Sequence, residues 1–181
     1  YLPQALEALR RTVEDPALID GWSYQPEGVG EFAASDQVRA STALWGLAAM
    51  GEAEAMYFSA MHDGAGEPLS GARRYRWSVP AAGVPVDGFW SLTMYQGEPD
   101  GRFFFVDNPI RRYAIGDRTS ALATNADGSM DILIQADRPE GPLAANWLPA
   151  PAGPFRLSLR AYLPRRELRE RRWRVPPVRR V

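Results

Sequence analysis

The stretch FRLSLRAYL (residues 155–163) alternates apolar and polar side chains without a break. Phe155, Leu157, Leu159, Ala161 and Leu163 fall on one face, and Arg156, Ser158, Arg160 and Tyr162 on the other. A period of two is the mark of a strand with one face on a core. The same reading extends outward along the chain. In Met130–Asp137, Met130, Ile132, Ile134 and Ala136 oppose Asp131, Leu133, Gln135 and Asp137. In Arg73–Val79 the inward set is Tyr75, Trp77 and Val79, and in Phe89–Tyr95 it is Trp90, Leu92 and Met94. Ala55–His62 is a further strand. Phe103–Val106 is short and wholly apolar, which predicts burial on both faces. Gly-rich and Asx-rich clusters separate these segments: Asp63–Gly66, Gly97–Gly101 and, most clearly, the hairpin signal Asn125-Ala126-Asp127-Gly128. Seven or so short strands joined by turns predict a mainly β fold, an antiparallel β-sandwich or jelly-roll-like domain.

Two helices are expected ahead of it. Pro3–Val13 carries Leu2, Leu6, Leu9 and Val13 at helical spacing, with Pro3 suited to the first turn. Ser35–Met50 has Ser35 as N-cap, Asp36 at the positive end of the dipole and Gly51 beyond its end. Its face of Val38, Thr42, Trp45 and Ala49 predicts good cover by the rest of the domain. The stretch between the helices, from Asp15-Pro16 to Gly30, is broken by Pro and Gly and reads as an ordered loop anchored by Trp22 and Tyr24. The expected organisation is a single domain: a helical segment over residues 1–54, a β body over 55–164 and an Arg-rich tail over 165–181. That tail holds eight Arg and two Glu. It predicts a solvated arm lying on an acidic body or on a neighbouring subunit.

Composition removes several chemistries. The chain of 181 residues has no Cys and one His, which excludes disulfides, thiolate metal sites, Fe–S clusters and any site needing two imidazoles. Apart from that His, every cation is Arg, so Schiff-base lysines and Walker-type phosphate loops are absent. A net charge of −1 gives no global case for nucleic acid. No run approaches the roughly 20 apolar residues of a membrane span. The chain opens on Tyr1 rather than Met, which leaves room for a removed upstream leader or domain and keeps the compartment open between export to the envelope or periplasm and the cytoplasm.

Five stretches together resemble one family. They are VDGFWSLTMY (Val86–Tyr95), FFVDNPIRRYAIGDRT (Phe104–Thr119), NADGSMDILIQ (Asn125–Gln135), NWLPAPAGPFRLSLRAYLP (Asn146–Pro164) and PPVRRV (Pro176–Val181). In motif order and spacing, from about Trp22 to Val181, the chain resembles the bacterial 1214 domain-of-unknown-function family, often the C-terminal partner of the 1254 domain. The resemblance implies a β-rich, jelly-roll-like, commonly oligomeric domain preceded by helix, with no established activity. The 1254 half is absent from the chain, so a site formed between the two domains is not carried over.

The densest polar constellation is Asp107, Asn108, Arg111, Arg112, Tyr113, Asp117 and Arg118, around the Asn108-Pro109 step. Asp107 and Asp117 are candidate catalytic carboxylates and Tyr113 a candidate acid, with Asn108, Arg112 and Arg118 as ligand-binding groups. The competing reading has the Asp residues capping loop amides and Arg118 fixing the loop in an ion pair. Asn146 and Trp147, in a Pro-rich loop, are further ligand-binding candidates, with Trp90, Tyr95 and Tyr113 completing an aromatic platform or else filling the core. His62-Asp63 precedes a Gly-rich turn and reads as a turn histidine rather than a catalytic pair. Three motifs fail on context. Gly28–Ala33 fits G-x-G-x-x-A without a preceding strand, Asn125–Asp131 has its glycine misplaced for a calcium loop and lacks the position-12 Glu, and no G-x-S-x-G elbow supports serine hydrolysis.

No metal site and no cofactor are expected. The leading expectation is a domain that binds a polar small molecule or glycan at the 107–118 loop. The alternatives are a metal-independent hydrolase, lyase or isomerase built on carboxylates with Tyr or Arg, and a structural subunit of a homo-oligomer.

Overall fold

A computed structural model describes residues 1–14, 17–32, 35–98 and 101–181. Asp15-Pro16 at the start of the predicted loop, Ala33 of the glycine-rich motif and the middle of the predicted Gly97–Gly101 turn lie outside the described residues, as do the side chains of Leu2 and Val13.

The chain is mainly β, with antiparallel sheets and a few helices. Its first half runs α1 (Leu2–Glu14), β1 (Leu18–Ile19), β2 (Trp22–Tyr24), α2 (Asp36–Trp45), β3 (Ala55–Ala60), β4 (Tyr75–Val79) and β5 (Trp90–Gly97). Then follow β6 (Phe103–Phe104), β7 (Ala114–Gly116), β8 (Met130–Gln135), a 3-10 turn at Pro142–Asn146, β9 (Trp147–Pro149), β10 (Phe155–Tyr162), α3 (Arg166–Arg169) and β11 (Val178–Arg180). One sheet has the order β1-β2-β3-β10-β5-β6, with β7 also pairing β5, and the other the order β11-β4-β8-β9. Every ladder among the described residues is antiparallel except β8–β9.

Strand β10 is the middle of the larger sheet. Leu159 faces Phe58 of β3 on one side and Leu92 of β5 on the other. Its inward residues Phe155, Leu157, Leu159 and Ala161 are buried, together with Phe58, Leu92 and Met94. The second sheet supplies Tyr75, Trp77, Ile132, Ile134 and Leu148 to the same core. Indole rings join the two layers: Trp77 lies 6.2 Å from Trp22 and 5.5 Å edge-on from Trp90. Such tilted and T-shaped pairs place ring edges over the electron-rich faces.

The structure departs from the sequence expectations at several places, and Leu163 and Ala136, at the ends of their alternating runs, are exposed rather than inward. Helix α2 starts at its cap, where Ser35 Oγ accepts from Val38 N at 3.2 Å, but ends at Gly46 rather than Met50. Of its described residues only Ser41 is buried, while Leu44 and Trp45 stay 45% and 39% exposed, so the predicted cover is absent. The segment read as a loop contains β1 and β2, because Trp22 reaches the core and Trp22–Tyr24 pairs with β3. Phe103–Val106 is not buried on both faces: β6 is a sheet edge, and Phe104 and Phe105 are exposed. The Asn125–Gly128 turn forms, with Gly128 at φ +82°, but only its downstream arm is a strand.

The largest departure is the C-terminal segment. Residues 165–181 are no free arm. Leu168, Val175 and Val178 are buried in the core, and β11 forms an edge of the smaller sheet against β4. The Pro176 carbonyl accepts two indole N–H groups at 2.9 Å each, from Trp22 of one sheet and Trp77 of the other. Several of the segment's arginines pair locally, Arg165 with Asp87 and both Arg166 and Arg172 with Glu170.

Candidate functional site

The polar cluster singled out in the sequence holds the fold's edge together. Asn108 staples its own loop: Nδ2 donates to the carbonyls of Val106 and Arg112, and Oδ1 accepts from Arg112 N at 2.9 Å. That ring of bonds brackets Arg111, which sits at φ +51°. Arg112 reaches the next layer, its Nη1 donating to Ala145 O at 2.6 Å and Trp147 O at 2.9 Å. Asp117 accepts from Trp90 N, and Arg118 lies 4.0 Å over the Phe89 ring. Tyr113 stacks on Phe105, which stacks in turn on Tyr95. Asp107 is exposed. Among the described residues no hydrogen bond joins Asp107 to Asp117.

Asn146 and Trp147 are interior. Asn146 Oδ1 accepts from Ala123 N, and its Nδ2 donates to the carbonyls of Ala123 and Asp131. The Trp147 indole donates to Gln135 O at 2.9 Å. Both side chains are sealed from solvent, and an open aromatic platform cannot be made from a 2% exposed tryptophan. The Trp90 ring is likewise core. Asp63 accepts from Ala65 N and Glu67 N as a turn cap, with His62 beside it in the turn. Among the described residues no group of His, Asp and Glu is placed to hold a metal ion.

The concave feature lies on the opposite side of the larger sheet from the core. A groove of about 600 Å³ runs between the outer face of β2, β3 and β10 and the end of α2 with residues 46–50. This size falls in the range of small-molecule sites. Because side chains alternate along β10, the residues that oppose the core set, Arg156, Ser158, Arg160 and Tyr162, form the floor. Ser23, Tyr57 and Ser59 extend it across the neighbouring strands. The other wall is mostly apolar, with Val29, Trp45, Leu47 and Met50 beside Ser41 and Thr42 of α2.

The floor is cationic, and its two guanidiniums lie over aromatic rings, Arg156 4.9 Å from the Phe103 centroid and Arg160 5.8 Å from that of Tyr95. Arg156 donates through Nε and Nη2 to Ser59 Oγ, at 3.2 and 2.7 Å. Arg160 donates to Thr93 Oγ1 and to Tyr95 OH, both at 3.1 Å. Each guanidinium has five N–H donors, so each keeps donors beyond these neutral hydroxyls. Among the described residues no carboxylate lies in ion-pair distance of either. Burial, and then repulsion from Arg160, hold the Arg156 guanidinium below its ordinary pKa. Two residues of the lining each carry a buried polar atom without a hydrogen-bond partner among the described residues, Gln25 Nε2 and Ser41 Oγ. Both side chains are more than nine-tenths buried. Gln25 is held in place because its Oε1 accepts from Tyr57 N at 2.9 Å. Among the described residues no Asp, Glu or His lines the groove.

Arg156 and Arg160 were legible only as the outer face of a strand. The signal was two arginines on one face of a central strand, interleaved with Ser158, where a solvated face would carry mixed charge.

Fold and groove together describe a mainly β domain with a basic recess on the outside of one sheet. The chain belongs to the family described as "Protein of unknown function (DUF1214)", whose model matches residues 54–166. Among solved structures, the VPA0106 protein from Vibrio parahaemolyticus is similar over 99% of this chain and 43% of that chain, at 23% identity and a TM-score of 0.71. An uncharacterised protein from Burkholderia cenocepacia is similar over 71% of this chain and 29% of that one, at 18% identity and a TM-score of 0.46. The chain thus spans less than half the length of either protein. No curated protein matches it.

Proposed function

We propose that this domain binds a small anionic molecule in the groove beneath α2, using Arg156 and Arg160 as the anchor. The observation that carries the reading is the pair of guanidiniums on the groove floor without a carboxylate partner among the described residues. Bringing two like charges together on one strand costs free energy that an anion between them removes, and the planar fork of Arg suits bidentate capture. In this reading the two sheets serve as the layers of a jelly-roll-like sandwich, and the ligand sits on the outside of one layer rather than at its rim. Binding is favoured over turnover because the described lining is built on guanidiniums, hydroxyls and apolar side chains, with no carboxylate or imidazole among the described residues to act as general base.

The test is an NMR titration of the Arg side-chain Nε–Hε resonances with acetate, sulfate, inorganic phosphate and benzoate at millimolar concentration. Saturable shifts at Arg156 and Arg160, lost in the Arg156→Gln/Arg160→Gln protein, are expected. Unmoved resonances for all four anions would sink the proposal.

A further inference from the structure

We infer that the anion is amphiphilic: a carboxylate carried on an acyl or aryl body, with the carboxylate on Arg156 and Arg160 and the body along the α2 wall. This rests on the anionic reading above and names the ligand class. The groove is built of two unlike halves. Its floor is hydroxyl-rich and cationic, whereas the wall opposite carries Trp45, Leu47 and Met50, which are 39%, 84% and 44% exposed. Large apolar side chains lining a concave site are surface that a ligand covers. They lie next to the charge, so a ligand that is charged throughout would leave the wall wet, and a neutral apolar one would strip water from two guanidiniums without replacing it.

The wall is also held open. Tyr57 OH accepts from Met50 N at 3.0 Å, and Gly30 abuts the Gly51 backbone so closely that a Cβ there would collide with it. These contacts fix residues 46–50 as a ledge over the sheet instead of letting Trp45 and Met50 fold down onto it.

Isothermal calorimetry on the full chain with straight-chain carboxylates from acetate to octanoate, n-octanol and inorganic phosphate tests this. Roughly twofold tighter binding per added methylene is expected, about half the full-burial value, or about 50-fold from acetate to octanoate. Octanol should bind at least about tenfold more weakly than octanoate, since it keeps the body and loses the charge-assisted bonds. Trp45→Ala, an exposed change that leaves the core alone, should flatten the chain-length dependence. Equal affinity for acetate and octanoate, or tighter binding of phosphate than of octanoate, overturns the amphiphile while leaving an anion site. Octanol binding as tightly as octanoate overturns the arginine anchor, and no binding by any anion overturns the reading beneath it.

Discussion

Removing residues 174–181 should collapse the fold, although five of the last eight side chains are Arg or Pro. The cut takes out Val175 and Val178, which are 0% and 1% exposed. Full burial of such a side chain stabilises by about 1.5–3 kcal/mol each. It also removes the Pro176 carbonyl, orphaning the indole N–H groups of Trp22 and Trp77. A buried donor left without a partner costs about 1–3 kcal/mol. Water entering beside the indoles offsets part of that, so the loss comes to about 5–8 kcal/mol. Domains of this kind have only about 5–15 kcal/mol in total. At about 2–4 °C per kcal/mol for this length, the melting temperature should fall by at least ~10 °C, or the transition should vanish. Thermal denaturation followed by circular dichroism, with tryptophan fluorescence reporting the indoles, measures it. A shortened chain melting within about 5 °C of the full one would refute the view that this segment completes the core.

Three further outcomes follow from the contacts above. Asn146→Ala should cost about 3 kcal/mol or more in urea unfolding, because three backbone groups lose their only described side-chain partner inside the protein; a loss below about 1 kcal/mol would contradict it. Arg112→Met should cost about 2 kcal/mol by freeing the Ala145 and Trp147 carbonyls, yet leave anion affinity unchanged, and a weakened affinity at unaltered stability would instead return the 107–118 loop to the site. Tyr24 has its pKa raised, chiefly by burial. The folded state therefore holds that proton more tightly than the unfolded chain does, and its contribution is full below the unfolded value near pH 10 and lost as pH rises through the folded one. Tyr24→Phe should accordingly lose stability at neutral pH, where the Val175 amide loses its acceptor, but show a shallower decline of melting temperature above about pH 9; parallel curves for the two proteins would count against this.

The strands with a dry face and a wet face were plain in the sequence. Tyr75-x-Trp77-x-Val79, Trp90-x-Leu92-x-Met94 and Phe155 to Ala161 each bury the set that the alternation selects. The tail was hidden by its charge. Three apolar positions, Leu168, Val175 and Val178, are scattered among eight arginines without a period, and the partner of β11 is an edge left open by β4, a property of the assembled sheet. Strands β1 and β2 were masked by Gly and Pro around very short pairing segments. The groove was half legible. Periodicity put Arg156 and Arg160 on one face, but a wall formed by residues far away in the chain has no local signature. The Asn108 loop misled because turn-stapling and ligand-binding use the same residue types, and only its bonds distinguish them.

The central position of β10 has a consequence for how the protein is made. It comes well after β3 and β5 in the chain, yet among the described residues those two strands meet only through it. Until then their apolar faces have no permanent neighbour, and pairings of such long sequence separation form slowly. A cell producing this domain must shelter Phe58, Leu92 and Met94 until β10 has been made, so yield will respond to chaperone supply and elongation speed in ways that the melting temperature of the finished molecule does not reveal.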